Sequence, residues 1–224
     1  MRGRNIRSFW EMKSILFCGG SHLATAKTSI EKRFELFNLD YFVTAGTKNL
    51  KWFKNGGRYN IEGTIIGGSP EQANIFKDLS KYDLIIFVGQ FIQISRFLGG
   101  NKQLLSKSIL KEIFKKDCFI NLPGNLYNQP LEIFPEIAPN KVILIPDPLV
   151  KTLNIEGIDL DYVHYFYEQL HLFCEDRFIK LLMPNKCLLE DDLRFVKSTY
   201  MLSKDNIHCK KEYWDIFFQK FNHI

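Results

Sequence analysis

A serine at position 21 stands directly behind a short apolar run and two glycines, in Phe17-Cys18-Gly19-Gly20-Ser21-His22-Leu23, at the mouth of a helix-compatible stretch. Glycines let the backbone turn sharply and bring a ligand close. The amides that open a helix, at the positive end of its dipole, can receive a developing oxyanion. A serine there also makes an ordinary helix cap, so a second signal is needed. It lies near the C-terminus, in Ser203-Lys204-Asp205-Asn206-Ile207-His208-Cys209, ahead of Tyr213-Trp214 and an apolar helical tail. A serine hydroxyl is a poor nucleophile at neutral pH and needs a base, which an imidazole held by a carboxylate supplies. With Asp-x-x-His spacing, the carboxylate can accept from one imidazole nitrogen while the other faces a serine, which fixes the useful tautomer. Ser21, His208 and Asp205 are therefore the candidate nucleophile, general base and base orienter for chemistry at an acyl carbonyl.

Other residues carry less. His22 would point away from Ser21 on a helix and reads as a first-turn surface or packing residue. His164, His171 and His223 fall in helical or terminal segments and read as structural. Glu190-Asp191-Asp192 is an acidic run without the companion ligands a metal needs. No glycine-rich turn has Gly-x-Gly-x-x-Gly spacing, and no phosphate-loop Gly-Lys-Ser/Thr occurs. Neither a metal nor a bound cofactor is expected.

A scaffold must bring residue 21 to residues 205–208. Lys13–Cys18 reads as a strand, followed by a tight turn and a helix from His22 to about Phe37. Strands are expected at Tyr41-Phe42-Val43 and Thr64-Ile65-Ile66, the latter ending in Gly67-Gly68-Ser69-Pro70. Ser69 would cap a helix with Pro70 in its first position and Glu71 favoured by the dipole, running to about Leu79. Asp83-Leu84-Ile85-Ile86-Phe87-Val88-Gly89 is the clearest buried strand, apolar on both faces. Further apolar segments lie at 118–120, 142–145 and 178–182, with helical patterns at about 103–116 and 159–175. This alternation predicts an α/β fold, a three-layer αβα sandwich with a mainly parallel sheet, whose ligands bind at the C-terminal strand ends. The loops at 19–21, 67–69 and 89–91 would share that edge.

Together these pieces resemble the SGNH (GDSL-like) hydrolase and acyltransferase superfamily, which has a flavodoxin-like layered fold. Its first motif sets a nucleophilic serine in a Gly-Asp-Ser-like turn after strand one, and its last is Asp-x-x-His before the final helix. Here Gly20 replaces the usual aspartate of the first motif. The family's oxyanion hole would be built from the amides of Ser21 and Gly68. A third donor, the asparagine of a Gly-x-Asn motif, is missing: Gly89-Gln90-Phe91 has phenylalanine in its place. Gln90 is the first substitute, with Gln93 and Asn125 as alternatives. The resemblance implies a serine-dependent ester hydrolase or O-acyltransferase handling an acyl group, acetyl foremost, on a carbohydrate such as a cell-surface polysaccharide or its precursor. No cofactor is implied, beyond an acyl-CoA donor if the protein is a transferase. Phe91 motivates a second reading, a catalytically impaired SGNH-like module that binds a glycan or a protein.

Length and composition bound the rest. The chain has 224 residues, 46% hydrophobic and 25% charged, which sets aside disordered and low-complexity classes. One domain is expected over 13–224, behind an N-terminal extension at 1–12. Twenty phenylalanines suit a large core or an aromatic cleft. The net charge of +5 is scattered without a long basic stripe, which argues against nucleic acid as a partner. The apolar segment at Ser14–Cys18 is too short for a signal core or a membrane span. Five cysteines, with no close pair, read as free thiols in a reducing compartment, so a cytoplasmic protein is expected.

Overall fold

The computed structural model describes residues 13–43, 51–55, 58–63, 75–89, 108, 141–149, 160–191, 195–203 and 208–221. Five parallel strands form the main sheet: β1 (Ser14–Gly19), β2 (Asn38–Val43), β6 (Leu84–Val88), β7 (Val142–Ile145) and β8 (Lys180–Leu181), in the order β2-β1-β6-β7-β8. A separate antiparallel sheet contains β3 (Lys51–Asn55), β4 (Arg58–Gly63) and β5 (Ile75–Asp78). Three α-helices are described: α1 (Ser21–Arg33), α2 (Leu160–Asp176) and α3 (Lys211–Phe218).

The sheet is central because its strands are apolar in both directions. Ile15, Phe17, Ile86, Val88, Ile143 and Ile145 share one core with Leu23, Ala26 and Ile30 of α1 and Tyr213, Trp214, Phe217 and Phe218 of α3. Alternation along a strand sends Leu16, Cys18, Ile85, Phe87 and Leu144 to the other face, and these too are at most 2% exposed. Helix α2 packs against β8 and buries Val163, Phe166, Leu170, Phe173 and Cys174 along one side. The result is the expected three-layer α/β sandwich. Many of the phenylalanines serve the core: Phe17, Phe34, Phe42, Phe87, Phe166, Phe173, Phe217, Phe218 and Phe221 are all buried.

The register aligns Gly19 with Val88, and Val88 with Ile145, so three loops leave the sheet side by side. The chain moves from β1 outward to β2 and then crosses back to β6 on the other side of β1. That reversal makes a switch point between β1 and β6, the place where open α/β sheets leave a crevice at their carboxyl ends. At the opposite end, the Asp83 carboxylate accepts from Ser14 N at 2.8 Å and from Ser14 Oγ at 3.1 Å, pinning β1 to the start of β6.

Two expectations are corrected. Residues 75–78 are a strand paired with β4, from Gly63↔Ile75 to Asn60↔Asp78, where a helix reaching about Leu79 was expected. A partner distant in sequence overrides the local helical pattern. Only a short 3₁₀ turn follows at Leu79–Lys81, capped by Asp78, which accepts from Ser80 N at 3.0 Å. The strand expected at 178–182 shrinks to Lys180–Leu181, because Phe178 and Ile179 are bonded back onto the last turn of α2 and close that helix. The segments at 64–74, 103–107, 109–116 and 118–120 and the extension at 1–12 lie outside the described residues.

Phe178 closes α2 in a position that favours glycine. Its φ is 54°, its N–H donates to Glu175 O at 3.1 Å, and Ile179 N donates to Cys174 O at 2.9 Å, the two bonds of a Schellman cap. The ring is 62% exposed, so little packing offsets the left-handed backbone. Phe178→Gly is therefore expected to stabilise the protein by roughly 0.5–1 kcal/mol in urea denaturation, strain relief outweighing the added freedom of the unfolded chain. A loss of stability would instead assign the ring a contact worth more than the strain.

Candidate functional site

Helix α1 opens at the carboxyl end of β1, with Gly20 in the capping position and Ala24 N donating to Gly20 O at 3.0 Å. Ser21 is thus the first residue inside the helix and is not its cap. Its side chain is exposed. Gly19 is required by close approach: a Cβ there would sit 2.6 Å from Val88 O and 2.7 Å from Leu23 Cβ.

The next residue, His22, is only 6% exposed and forms the middle of the site. Its Nε2 lies 3.6 Å from Asp147 Oδ1, on the loop that follows β7. Its ring centroid is 5.1 Å from that of His208, with the planes tilted by 51°. Gly89, at the end of β6, has φ +65°, and a Cβ there would come within 2.6 Å of His22 Cβ and 2.9 Å of Cγ. Three strand ends, β1, β6 and β7, therefore converge on one imidazole.

Helix α3 brings His208 to this place. Trp214 Nε1 donates to Thr25 Oγ1 at 3.2 Å, and Thr25 Oγ1 donates to His22 O at 2.9 Å, joining α3 to the first turn of α1. Ser29 Oγ donates to Lys211 O at 3.3 Å one helical step further along. Ahead of α3 the backbone is held by Leu202 N donating to His208 O at 3.0 Å and Lys210 N to Tyr200 O at 2.7 Å, around the Met201↔Cys209 bridge.

Burial sets the electrostatics. Desolvation, with a smaller contribution from His208, pushes the His22 imidazole down to about 4, so it is neutral near pH 7. Desolvation also lowers His208 below its ordinary value near 6.5. The phenol of Tyr167, on α2, is raised by burial and then by the charge of Asp147.

The low value at His22 has a consequence for stability. An unfolded histidine takes its proton near 6.5 and the folded one only near 4, so the native chain binds fewer protons between those values. Stability is full above pH 6.5 and is lost as pH falls toward 4, by roughly 3 kcal/mol at 1.36 kcal/mol per pH unit. Urea denaturation of wild type and His22→Phe between pH 7 and 4 is expected to show a shallower decline in the variant. Equal slopes would remove His22 as the cause.

The structure thus brings His208 against the residue beside Ser21. Asp205, Gly68, Gln90, Phe91, Gln93, Asn125 and His223 lie outside the described residues. His164 and His171 are exposed on α2, with His171 Nε2 3.0 Å from Glu175. His22 is the packing residue expected, and what it packs against is the candidate base His208 and the Asp147 carboxylate. Asp147 was missed; its only sequence signal is Pro146-Asp147-Pro148 directly behind an apolar strand. Among the described residues no group of three or more His, Cys, Asp or Glu side chains could hold a metal. No described helix is long and apolar enough to cross a membrane.

No family model matches the chain. No curated protein matches it either. Among solved structures, a protein from Bacteroides fragilis named as an acylhydrolase is similar over 94% of this chain and 85% of its own, at 11% identity and a TM-score of 0.46. A lipase/acylhydrolase from Enterococcus faecalis is similar over 94% of this chain and 93% of its own, at 11% identity and a TM-score of 0.45.

Proposed function

We propose that the protein is a serine-dependent ester hydrolase or O-acyltransferase. The observation that carries this reading is the packing of His208 against the first turn of α1, at the carboxyl edge of a parallel sheet, with exposed Ser21 as the neighbouring residue. An imidazole kept below its ordinary pKa, packed on the residue that follows a helix-opening serine, suits a general base at neutral pH.

In this mechanism His208 takes the proton from Ser21 as Oγ attacks the acyl carbonyl, and the helix-opening amides receive the oxyanion. Amides of Ser21 and Gly68, with the side chain of Gln90, make up the hole. Collapse breaks the ester bond, and His208 passes the proton to the leaving alkoxide. Water or a sugar hydroxyl then gives its own proton to His208 and takes the acyl group as the bond to Ser21 Oγ breaks, and His208 returns that proton to Oγ. Asp205 orients His208 and stabilises the imidazolium. Acetyl on a carbohydrate is the proposed substrate, with acyl-CoA as the donor for transfer. The five cysteines are spread along the sequence without a close pair, which suits the cytoplasmic setting proposed here.

The test is incubation of the purified chain with a serine-reactive phosphonate, followed by peptide mass analysis. A single adduct on the peptide containing Ser21, absent in His208→Ala, is expected. No adduct at Ser21, together with no turnover of a short-chain acetyl ester, would leave the glycan- or protein-binding reading.

A further inference from the structure

We propose that Asp147 and His22 form a second carboxylate–imidazole couple whose role is to position His208. The inference rests on the reading of Ser21 and His208 as nucleophile and base. A carboxylate 3.6 Å from Nε2 favours the tautomer with its proton on that nitrogen, leaving Nδ1 bare. That Nδ1 is buried and has no hydrogen-bond partner among the described residues. A buried ring nitrogen without a donor costs stability, and a phenylalanine would fill the same space without that cost. The polar ring is retained against its own burial, and the group beside it is His208.

His22 is also held on every side that would let it move. Its Cβ–Cγ–Cδ2 edge lies against Gly89, where no side chain intervenes. Its carbonyl accepts from Thr25, which is tied to Trp214, and the Trp214 ring centroid stands 6.5 Å from that of His22. The ring that meets His208 is therefore fixed by β6, β7, α1 and α3 together. Among the described residues the titratable groups that face it are Asp147 and His208, with the Tyr167 phenol feeling the charge of Asp147. Because His22 is neutral near pH 7, an imidazolium forming on His208 meets no like charge from that ring.

The test uses the full chain with His22→Phe, His22→Gln and Asp147→Asn, and Ser21→Ala as reference. Readouts are the phosphonate labelling rate of Ser21, kcat and KM for an acetyl ester, and the imidazole nitrogen resonances of ¹⁵N-histidine-labelled protein. His22→Phe and Asp147→Asn are expected to lower kcat and labelling about 10- to 100-fold with KM little changed, as a displaced base does. His22→Gln, whose amide nitrogen can face Asp147 as Nε2 does, is expected to recover about tenfold of that loss. In Asp147→Asn the His208 resonances are expected to move.

His22→Phe with wild-type kcat would overturn the proposal. If that variant fails to fold, unchanged His208 resonances in Asp147→Asn would overturn it instead. Ser21→Ala that still turns over the ester would overturn the serine mechanism, while the resonances continue to report whether His22 and Asp147 hold His208.

Discussion

Replacing Ser21 or His208 with alanine is expected to lower kcat/KM for a short-chain acetyl ester by about 10⁴-fold or more. The two losses should be similar in size and far from additive in the double variant, because a nucleophile without its base is nearly as inert as no nucleophile. Ser21 is exposed at the head of α1, so its removal should leave the denaturation curve unchanged. The pH profile of wild type carries a second constraint. His208 can accept a proton only when neutral, and desolvation holds its pKa below 6.5, so kcat/KM should rise with pH through an apparent value under 6.5 and then level off. A profile that rises only above pH 7 would point to another base. Asp205→Asn, measured alongside, separates the two carboxylates. A fall of about 10⁴-fold would make Asp205 the orienting partner of His208. A small fall, combined with a large one in Asp147→Asn, would move that role to the His22 side.

The sequence made the sheet legible and hid much of the site. β1, β6 and β7 are short runs apolar on both faces, which only a strand covered by helices on both sides requires, and each lies within one or two residues of its expected place. The antiparallel sheet escaped for a different reason. Ile75–Asp78 has no strong period of its own, and its identity as β5 comes from pairing with β4. The signal available was Asn55-Gly56-Gly57-Arg58, a two-glycine spacing typical of a hairpin, which matches the Asn55↔Arg58 pairing of β3 with β4.

Ser21 and His208 could be proposed from sequence because a nucleophile and a base have characteristic types and surroundings. His22 was placed on its helix correctly but judged by direction along that helix alone. What faces it comes from β6, from the loop after β7 and from the segment ahead of α3, and none of those contacts has a sequence pattern. Asp147 is the extreme case, a single carboxylate between two prolines whose partner is 125 positions away.

Gly89→Ala is expected to be among the most damaging single-methyl changes in the molecule, costing about 2–5 kcal/mol. Two independent terms add. The backbone at φ +65° disfavours any L side chain, and the new Cβ would stand 2.6 Å from His22 Cβ and 3.0 Å from Cδ2, where no flexible tip can yield. His22 cannot retreat easily, because Asp147, His208 and the Thr25–Trp214 chain occupy its other sides. The clash must therefore be relieved by moving β6, the first turn of α1, or both, and each movement also shifts Ser21 relative to His208. Urea denaturation measures the first effect, and phosphonate labelling of Ser21 below the unfolding transition measures the second. The double variant Gly89→Ala/His22→Ala makes the assignment: with the ring gone, the steric part of the cost should disappear while the backbone part, about 1–2 kcal/mol, remains. If the double variant recovers nothing, then the methyl clashes with something other than His22, and the convergence of three strand ends on that imidazole is wrong.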